Sequence, residues 1–377
     1  MKILITHPFC WPWVRRGAER YLAELSGHLA RRGHEVTVLS TEPGPGSTSV
    51  SDGVTYIKRP QPRSRLLTAV GIPPETQFIG TCFRHLLRSR GRYDVVGAML
   101  YSDSIGAMLS WPFHRIPCVV HITGFPYRRW LRRRPLDTLT MIVAVRFARR
   151  VAVHTRQSLQ LLSELFGVDG YLLPPPTDTS RFTLRTERDL GSPILLAAGA
   201  FSERRKGGRI LVKAFELVKR CRPTAILQFS GSVGAPMQRE LLGLVPPALH
   251  RDILFTGTGK PEDLPSVYGR AAVTILPAVR EAFGMVLAES LACGTPVVGG
   301  RDGGIPEIVE DGVGYLFDPG GTRREPANFE GLAEAILKAL DLHADPDLPR
   351  RCRESGMRFS WDRYSPEYEA FYALANE

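Results

Sequence analysis

Two carboxylates eight positions apart, Glu281 and Glu289, sit in the stretch Pro277-Ala278-Val279-Arg280-Glu281-Ala282-Phe283-Gly284-Met285-Val286-Leu287-Ala288-Glu289-Ser290. On one helix they would stand about 12 Å apart along the axis, too far for the paired acid and base of a glycosidase. The stretch reads instead as the end of an apolar strand followed by a helix, with Glu281 in the loop and Glu289 inside the helix. The N–H groups of Gly284, Met285 and Val286 then lack intrahelical partners and carry a partial positive charge. Phosphate binds readily at such a helix start, and carboxylates accept hydrogen bonds from hydroxyls. Diphosphate and polyol together describe a nucleotide sugar. The plainer alternative is an ordinary strand-to-helix turn with solvated glutamates.

A second loop of the same kind is Gly199-Ala200-Phe201-Ser202-Glu203-Arg204-Arg205-Lys206-Gly207-Gly208. Its glycines, with Arg205 and Lys206, suit a diphosphate held by charge and N–H donation, though an isolated basic run is usually a solvated loop. Arg16-Gly17-Ala18-Glu19 opens the first helix, where Gly17 lets a ligand approach the backbone. The spacing is not GxGxxG, so a dinucleotide site is not supported. His121 ends the apolar strand Val119–Ile122; there it can meet a sugar hydroxyl or act as a structural hydrogen-bond partner. His154 is a weaker instance at the next strand end. Arg128, Arg129, Arg132, Arg133 and Arg134 surround Trp130 in the densest basic run, which fits an anionic acceptor, an anionic membrane surface or a solvated loop. The serine-elbow, H-E-x-x-H and Walker patterns are missing. Asp345-Pro346-Asp347 has a metal–diphosphate spacing but lies among prolines near the C-terminus, away from any strand end, and reads as a loop.

These residues need two parallel sheets to position them. Strands alternate with helices in both halves, at Lys2–Thr6, Glu35–Ser40, Val119–Ile122 and Arg150–His154, then at Pro193–Ala200, Ala225–Ser230, Ile253–Thr256, Val273–Leu276 and Pro296–Gly299. Ala18–Arg32 and Gly208–Arg220 carry apolar residues at helical spacing. Thr41–Val50, rich in Gly, Pro and Ser, reads as a loop. The expected fold is α/β, with two doubly wound domains and a cleft between them, because ligands in such sheets bind at the carboxyl ends of the strands. The 377 residues suit two domains. The triple proline Pro174–Pro176 marks the boundary.

The net charge of +11 is uneven: residues 1–185 hold 26 Lys and Arg against 12 Asp and Glu, while residues 186–377 hold 23 against 26. The basic first half implies an anionic partner there. Nucleic acid is set aside for want of any recognisable module. Six scattered cysteines suggest neither disulfides nor zinc and fit a reducing cytoplasm. No apolar run reaches the ~20 residues of a membrane span, so a cytoplasmic protein, at most peripheral to the membrane, is expected.

In this order the segments resemble the family 4 retaining glycosyltransferases of the GT-B fold. The match runs over nearly the whole chain. It rests on Glu281 to Glu289 with Phe283-Gly284-Met285 between, then Ala292-Cys293-Gly294-Thr295-Pro296-Val297-Val298 and Gly303-Gly304-Ile305-Pro306-Glu307. Arg32-Gly33-His34-Glu35-Val36 and the hinge-like Pro174–Phe182 extend it. The resemblance implies an acceptor-side Rossmann-like domain over 1–175, a nucleotide-sugar domain over 176–356, and a C-terminal helix, 357–377, crossing back to the first. It implies that Glu289 holds the ribose, that Glu281 meets the donor sugar with Phe283, Gly284, Met285 and Val286 nearby, and that Lys206 and Arg205 neutralise the diphosphate. Gly17 would line the donor pocket, His121 would face the reacting sugar, and the base would sit near Gly257. No metal or other cofactor is implied; the nucleotide sugar is a co-substrate. The partners are that donor and an anionic or hydroxylated acceptor. Two departures stand out: Gly199-Ala200 replaces the family's Gly-Arg, leaving Arg204 or Arg205 to supply the charge, and Arg16-Gly17 replaces its double glycine, placing Arg16 where it can meet an anionic donor or acceptor. Rival readings are a sugar-nucleotide epimerase of the same fold and a non-catalytic sugar-nucleotide-binding subunit.

Overall fold

In a computed structural model of the protein, residues 1–377 are described except 12, 15, 63, 70–73, 125–130, 133–134, 186–187, 323–324, 374 and 376–377. The chain forms two compact units, Met1–Pro174 with Ser365–Glu377, and Pro175–Tyr364. The division falls within the terminal helix Trp361–Ala373.

The first unit is built on strands β1 (Lys2–Thr6), β2 (Glu35–Glu42), β3 (Ser47–Ser51), β4 (Val54–Pro60), β5 (Val95–Ala98), β6 (Cys118–Ile122), β7 (Arg150–Val153) and β8 (Tyr171–Leu172), in the spatial order β3-β4-β2-β1-β5-β6-β7-β8. All pairs are parallel except β3 with β4. Parallel strands covered on both faces are apolar throughout rather than alternating. Val95–Ala98 and Cys118–Ile122 are accordingly buried along their whole length. The helix Gly17–Arg31 buries Tyr21, Leu22, Leu25 and Leu29, and Gly33 follows it in a left-handed conformation at φ 89°.

The second unit is built on β9 (Ile194–Ala198), β10 (Ile226–Ser230), β11 (Ile253–Gly257), β12 (Val273–Leu276), β13 (Val297–Gly300) and β14 (Gly314–Phe317), all parallel, in the order β11-β10-β9-β12-β13-β14. The helix Gly208–Cys221 turns Ile210, Leu211, Ala214, Phe215 and Val218 into the core, where they meet Leu195, Leu227, Val273 and Ile336.

One local expectation changes, and one helix appears where none was read. Ser47–Ser51, read as part of a loop, is an antiparallel edge strand that turns back through Asp52 and Gly53, both at positive φ. Every one of its residues is exposed, so no apolar alternation announces it. The helix Tyr101–His114 was not visible in the sequence pattern, because its buried residues are Ser102, Asp103, Ser104, Gly106, Ala107 and Ser110. Among the described residues, no helix is long and apolar enough to cross a membrane.

Candidate functional site

The strand order of the second unit reverses between β9 and β12. In doubly wound sheets the ligand crevice opens at that point, beyond the carboxyl ends of the strands. The segments leaving β9 and β12 there are the two loops singled out by their sequence, Gly199–Gly207 and Pro277–Gly284. They are fastened together: Val279 N–H donates to the Arg205 carbonyl at 2.9 Å. A Cβ on Gly207, which has φ +77°, would lie 2.4 Å from the Pro277 carbonyl oxygen, so only glycine permits this approach.

The fastening brings opposite charges together. Lys206 Nζ donates to Glu281 Oε2 at 2.7 Å, and Arg205 Nη1 donates to the same oxygen at 3.3 Å. Arg205 also bonds Glu203 at 2.7 Å and the Arg280 carbonyl at 3.4 Å. The Lys206 and Glu281 side chains are only 16% and 15% exposed. Burial disfavours the Glu281 carboxylate, but Lys206 and Arg205 outweigh it and hold the carboxyl below its ordinary value. Glu281 is thus ionised at neutral pH, with two cations on one of its oxygens.

Asp302, which the sequence reading did not single out, fixes the second loop from the far side. Its carboxylate accepts the Arg280 N–H at 2.8 Å and the Gly303 N–H at 2.9 Å. Arg280 needs that support, since it is a non-glycine residue at φ 57°. The Gly304 N–H donates to the Glu281 carbonyl at 2.9 Å, and a Cβ on Gly303 would lie 2.1 Å from that oxygen. The only sequence hint was Asp302-Gly303-Gly304, a turn signal without a stated partner.

Gly284, at φ 106° and ψ 42°, caps the helix Met285–Ala292. Glu281 therefore lies in the loop and Glu289 in the helix, as the spacing required. The Gly284, Met285 and Val286 amides sit at the helix start, where an anion is favoured. Glu289 is 2% exposed and accepts a 2.8 Å hydrogen bond from the Tyr268 hydroxyl, a partner not anticipated from the sequence. Phe283 is buried and packs edge-on against Phe359 at 5.3 Å. Its ring belongs to the core, and only its backbone remains for a ligand. Gly257 ends β11 at φ 67°, and its carbonyl accepts the Gly231 N–H at 2.8 Å.

In the first unit, Arg16 precedes the helix carrying Gly17 and donates to Glu19 through Nη2 at 2.7 Å. Its guanidinium also lies 5.3 Å from the centre of the Phe9 ring. His121 departs from the position expected of a sugar-facing group: it is 0% exposed. Its Nε2 lies 3.0 Å from the Tyr372 hydroxyl and its Nδ1 3.4 Å from the Tyr21 hydroxyl. Burial, then His154, lowers its pKa to about 3; the ring is neutral and serves as a hydrogen-bond partner inside an aromatic cluster. His154, also buried, bonds the Leu173 carbonyl at 2.9 Å. Arg132 is exposed, while Arg128, Arg129 and Trp130 lie outside the described residues. Asp345 and Asp347 bracket the entry to the helix Leu348–Met357, with Asp345 paired to Arg351. Among the described residues, no group of three or more His, Cys, Asp or Glu side chains is placed to hold a metal ion.

Comparison with known proteins gives a consistent result. The family profile "Glycosyltransferase Family 4" matches residues 15–181, and "Glycosyl transferases group 1" matches residues 181–359. A D-inositol 3-phosphate glycosyltransferase of Acidothermus cellulolyticus is 28% identical, over 92% of this chain and 83% of its own length. That of Xylanimonas cellulosilytica is 26% identical, over 96% and 92%. Among solved structures, sucrose-phosphate synthase from Thermosynechococcus elongatus superposes with a TM-score of 0.82 at 21% identity, covering 99% of this chain and 98% of its own. The Anabaena HepE protein in complex with UDP and glucose superposes with a TM-score of 0.71 at 19% identity, covering 98% of each chain.

Proposed function

The chain belongs to the family 4 glycosyltransferases of the GT-B fold, and from that premise we propose that it is a retaining, metal-independent hexosyltransferase using a nucleoside-diphosphate sugar. The observation that carries this reading is the convergence of Lys206 and Arg205 on Glu281 at the reversal point of the second sheet. The UDP and glucose bound by the Anabaena protein make UDP-glucose the first donor to test. The inositol phosphate in the names of the curated relatives makes a phosphorylated polyol the first acceptor, in keeping with the basic first half of the chain.

The donor diphosphate is assigned to Lys206, Arg205 and the amides of Gly284, Met285 and Val286. Glu281 is assigned to the sugar, Glu289 to the ribose and the neighbourhood of Gly257 to the base. Gly17 is assigned to the donor, and Arg16 to an anionic donor or acceptor. In the reaction, the bond between the anomeric carbon and the phosphate oxygen breaks, and its electron pair leaves with the diphosphate. The acceptor oxygen bonds the same carbon on the same face, and its proton passes to the departing phosphate oxygen. Lys206, Arg205 and the helix N-terminus stabilise the charge that grows on the leaving group, the role of preorganised electrostatic donors. Those cations fill the place a metal would otherwise take.

The test is a donor and acceptor screen followed by NMR of the product. Retained anomeric configuration and turnover unchanged by a chelator are expected. An inverted product or loss of activity with chelator would overturn the corresponding assignment. A new nucleotide sugar formed without acceptor would identify an epimerase instead.

A further inference from the structure

The helix Tyr101–His114 is turned inside out. Its buried face is Ser102, Asp103, Ser104, Gly106, Ala107 and Ser110, whereas an ordinary surface helix buries its apolar stripe. Leu109 and Phe113 are each 52% exposed. They follow Ile105 and flank Pro112 at helical spacing, so the outward stripe is apolar along its length. The serines of the inward face bond within the helix, although Asp103 keeps Oδ2 buried without a hydrogen-bond partner. Ser110 Oγ donates to the Gly106 carbonyl at 2.7 Å, and Ser104 Oγ donates to the Tyr101 carbonyl at 2.8 Å. A Cβ on Gly106 would lie 2.7 Å from Cys82 Cβ and from the Ile79 carbonyl oxygen, so this face alone can meet the helix Pro74–Leu87. The neighbouring helix Pro135–Phe147 packs beside it and exposes Leu139 by 58%.

We propose that the outer face of these two helices, with Leu109, Phe113 and Leu139 protruding, is a docking surface for an anionic lipid bilayer. A scattered exposed leucine needs no explanation, but an apolar stripe on an inverted helix marks an interaction site. The charges at its rim select the occupant. Arg115 follows the first helix directly, Arg146 is exposed on the second, and Arg149 is exposed just beyond it, its N–H bonded to the Cys118 carbonyl at 2.7 Å. The Arg115 guanidinium stacks 4.2 Å from the Trp111 ring centre, an aromatic–cation pair suited to the headgroup layer. Of the acidic groups on these two helices, Asp103 is buried and Asp137 is half-buried at the start of the second. A second copy of the chain would bring arginine against arginine, whereas acidic headgroups complement the rim.

The test uses the full chain with vesicles of phosphatidylcholine alone or with roughly 30% phosphatidylglycerol. Partition onto the anionic vesicles, weakened by salt, is expected, and Leu109→Ser/Phe113→Ser should lower it about tenfold or more. UDP binding should not change in that variant. Equal partition by the variant, binding to neutral vesicles alone, or no binding at all would overturn the proposal. So would a concentration-dependent dimer in sedimentation velocity that Phe113→Ser abolishes, because the face would then serve a second copy. A readout that leaves the surface leucine and phenylalanine intact is quenching of tryptophan fluorescence by brominated lipid. It should fall on Trp111→Phe substitution, and quenching unchanged by that substitution would place the contact elsewhere.

Discussion

Lys206→Met and Glu281→Gln should change diphosphate affinity in opposite directions. Arg204, Arg205 and Lys206 occupy one short turn, with Glu203 and Glu281 beside them. Arg204 turns to Glu325 at 3.9 Å, so Arg205 and Lys206 set against Glu203 and Glu281 leave the paired cluster neutral before the ligand binds. Lys206→Met makes it net negative by one charge, and Glu281→Gln makes it net positive by one. A unit charge about 4 Å from another contributes about 4 kcal/mol at an effective dielectric constant near 20. Spread of charge over the diphosphate and residual water lower the realised value to about 1.4–4 kcal/mol, or tenfold to a thousandfold, in line with the ~10²–10³ seen on removing a preorganised donor. Lys206→Met should therefore weaken UDP binding about tenfold or more and lower kcat/KM further, because charge on the leaving group grows in the transition state. Glu281→Gln should tighten UDP binding severalfold while lowering kcat, since the carboxylate no longer meets the donor sugar. Titration calorimetry with UDP, set beside steady-state release of nucleoside diphosphate, reads both effects. If both variants weaken UDP, or neither shifts it by more than about threefold, the diphosphate does not lie on this cation pair and the electrostatic reasoning fails.

Three further outcomes follow from the same geometry. Gly303→Ala, with a Cβ at 2.1 Å from the Glu281 carbonyl oxygen and φ +63°, should cost about 2–4 kcal/mol, and a melting temperature equal to wild type would contradict the close approach. Asp302→Ala removes the acceptor of two backbone N–H groups and should cost about 1–3 kcal/mol, with a drop in kcat as Glu281 loosens; unchanged kinetics would show that the clamp is idle. For pH, the Glu281 carboxyl is held below its ordinary 4.5, so its contribution is full above that value and is lost as pH falls through the lower folded one. His121 and His154 are held neutral at about 3 and about 4, below their ordinary 6.5, so the unfolded chain gains protons first. Their stabilisation is present above pH 6.5 and declines toward pH 4, by up to about 1.4 kcal/mol per pH unit for each. Denaturant unfolding between pH 7 and 5 should show a shallower slope in His121→Gln, and an identical slope would mean that His121 titrates normally.

What the sequence disclosed, and what it hid, follows from which interactions are local. The loop position of Glu281 and the helical position of Glu289 were legible because glycine, strand and helix signals lie within a few residues of each other. The ion pair of Lys206 with Glu281 was not legible, because it depends on β9 lying beside β12; only the family resemblance had assigned both loops to one donor. Tyr268 on Glu289 and Asp302 on Arg280 were not legible, because hydrogen bonds across 21 and 22 positions leave no periodic trace. His121 misled for a related reason. A histidine at a strand end reads as a surface group until the tyrosines of a helix some 251 positions later are laid over it. The Tyr101–His114 helix went unread for a different reason. Sequence reading assumes that the apolar side faces inward, and here Gly106 and the self-satisfied serines turn the polar side in. A helix that breaks the inside–outside rule while keeping its close packing, even with a buried Asp103 oxygen left unpartnered, has an outer face shaped by something other than this unit's own core, which is why that face, rather than the donor loops, carries the new proposal.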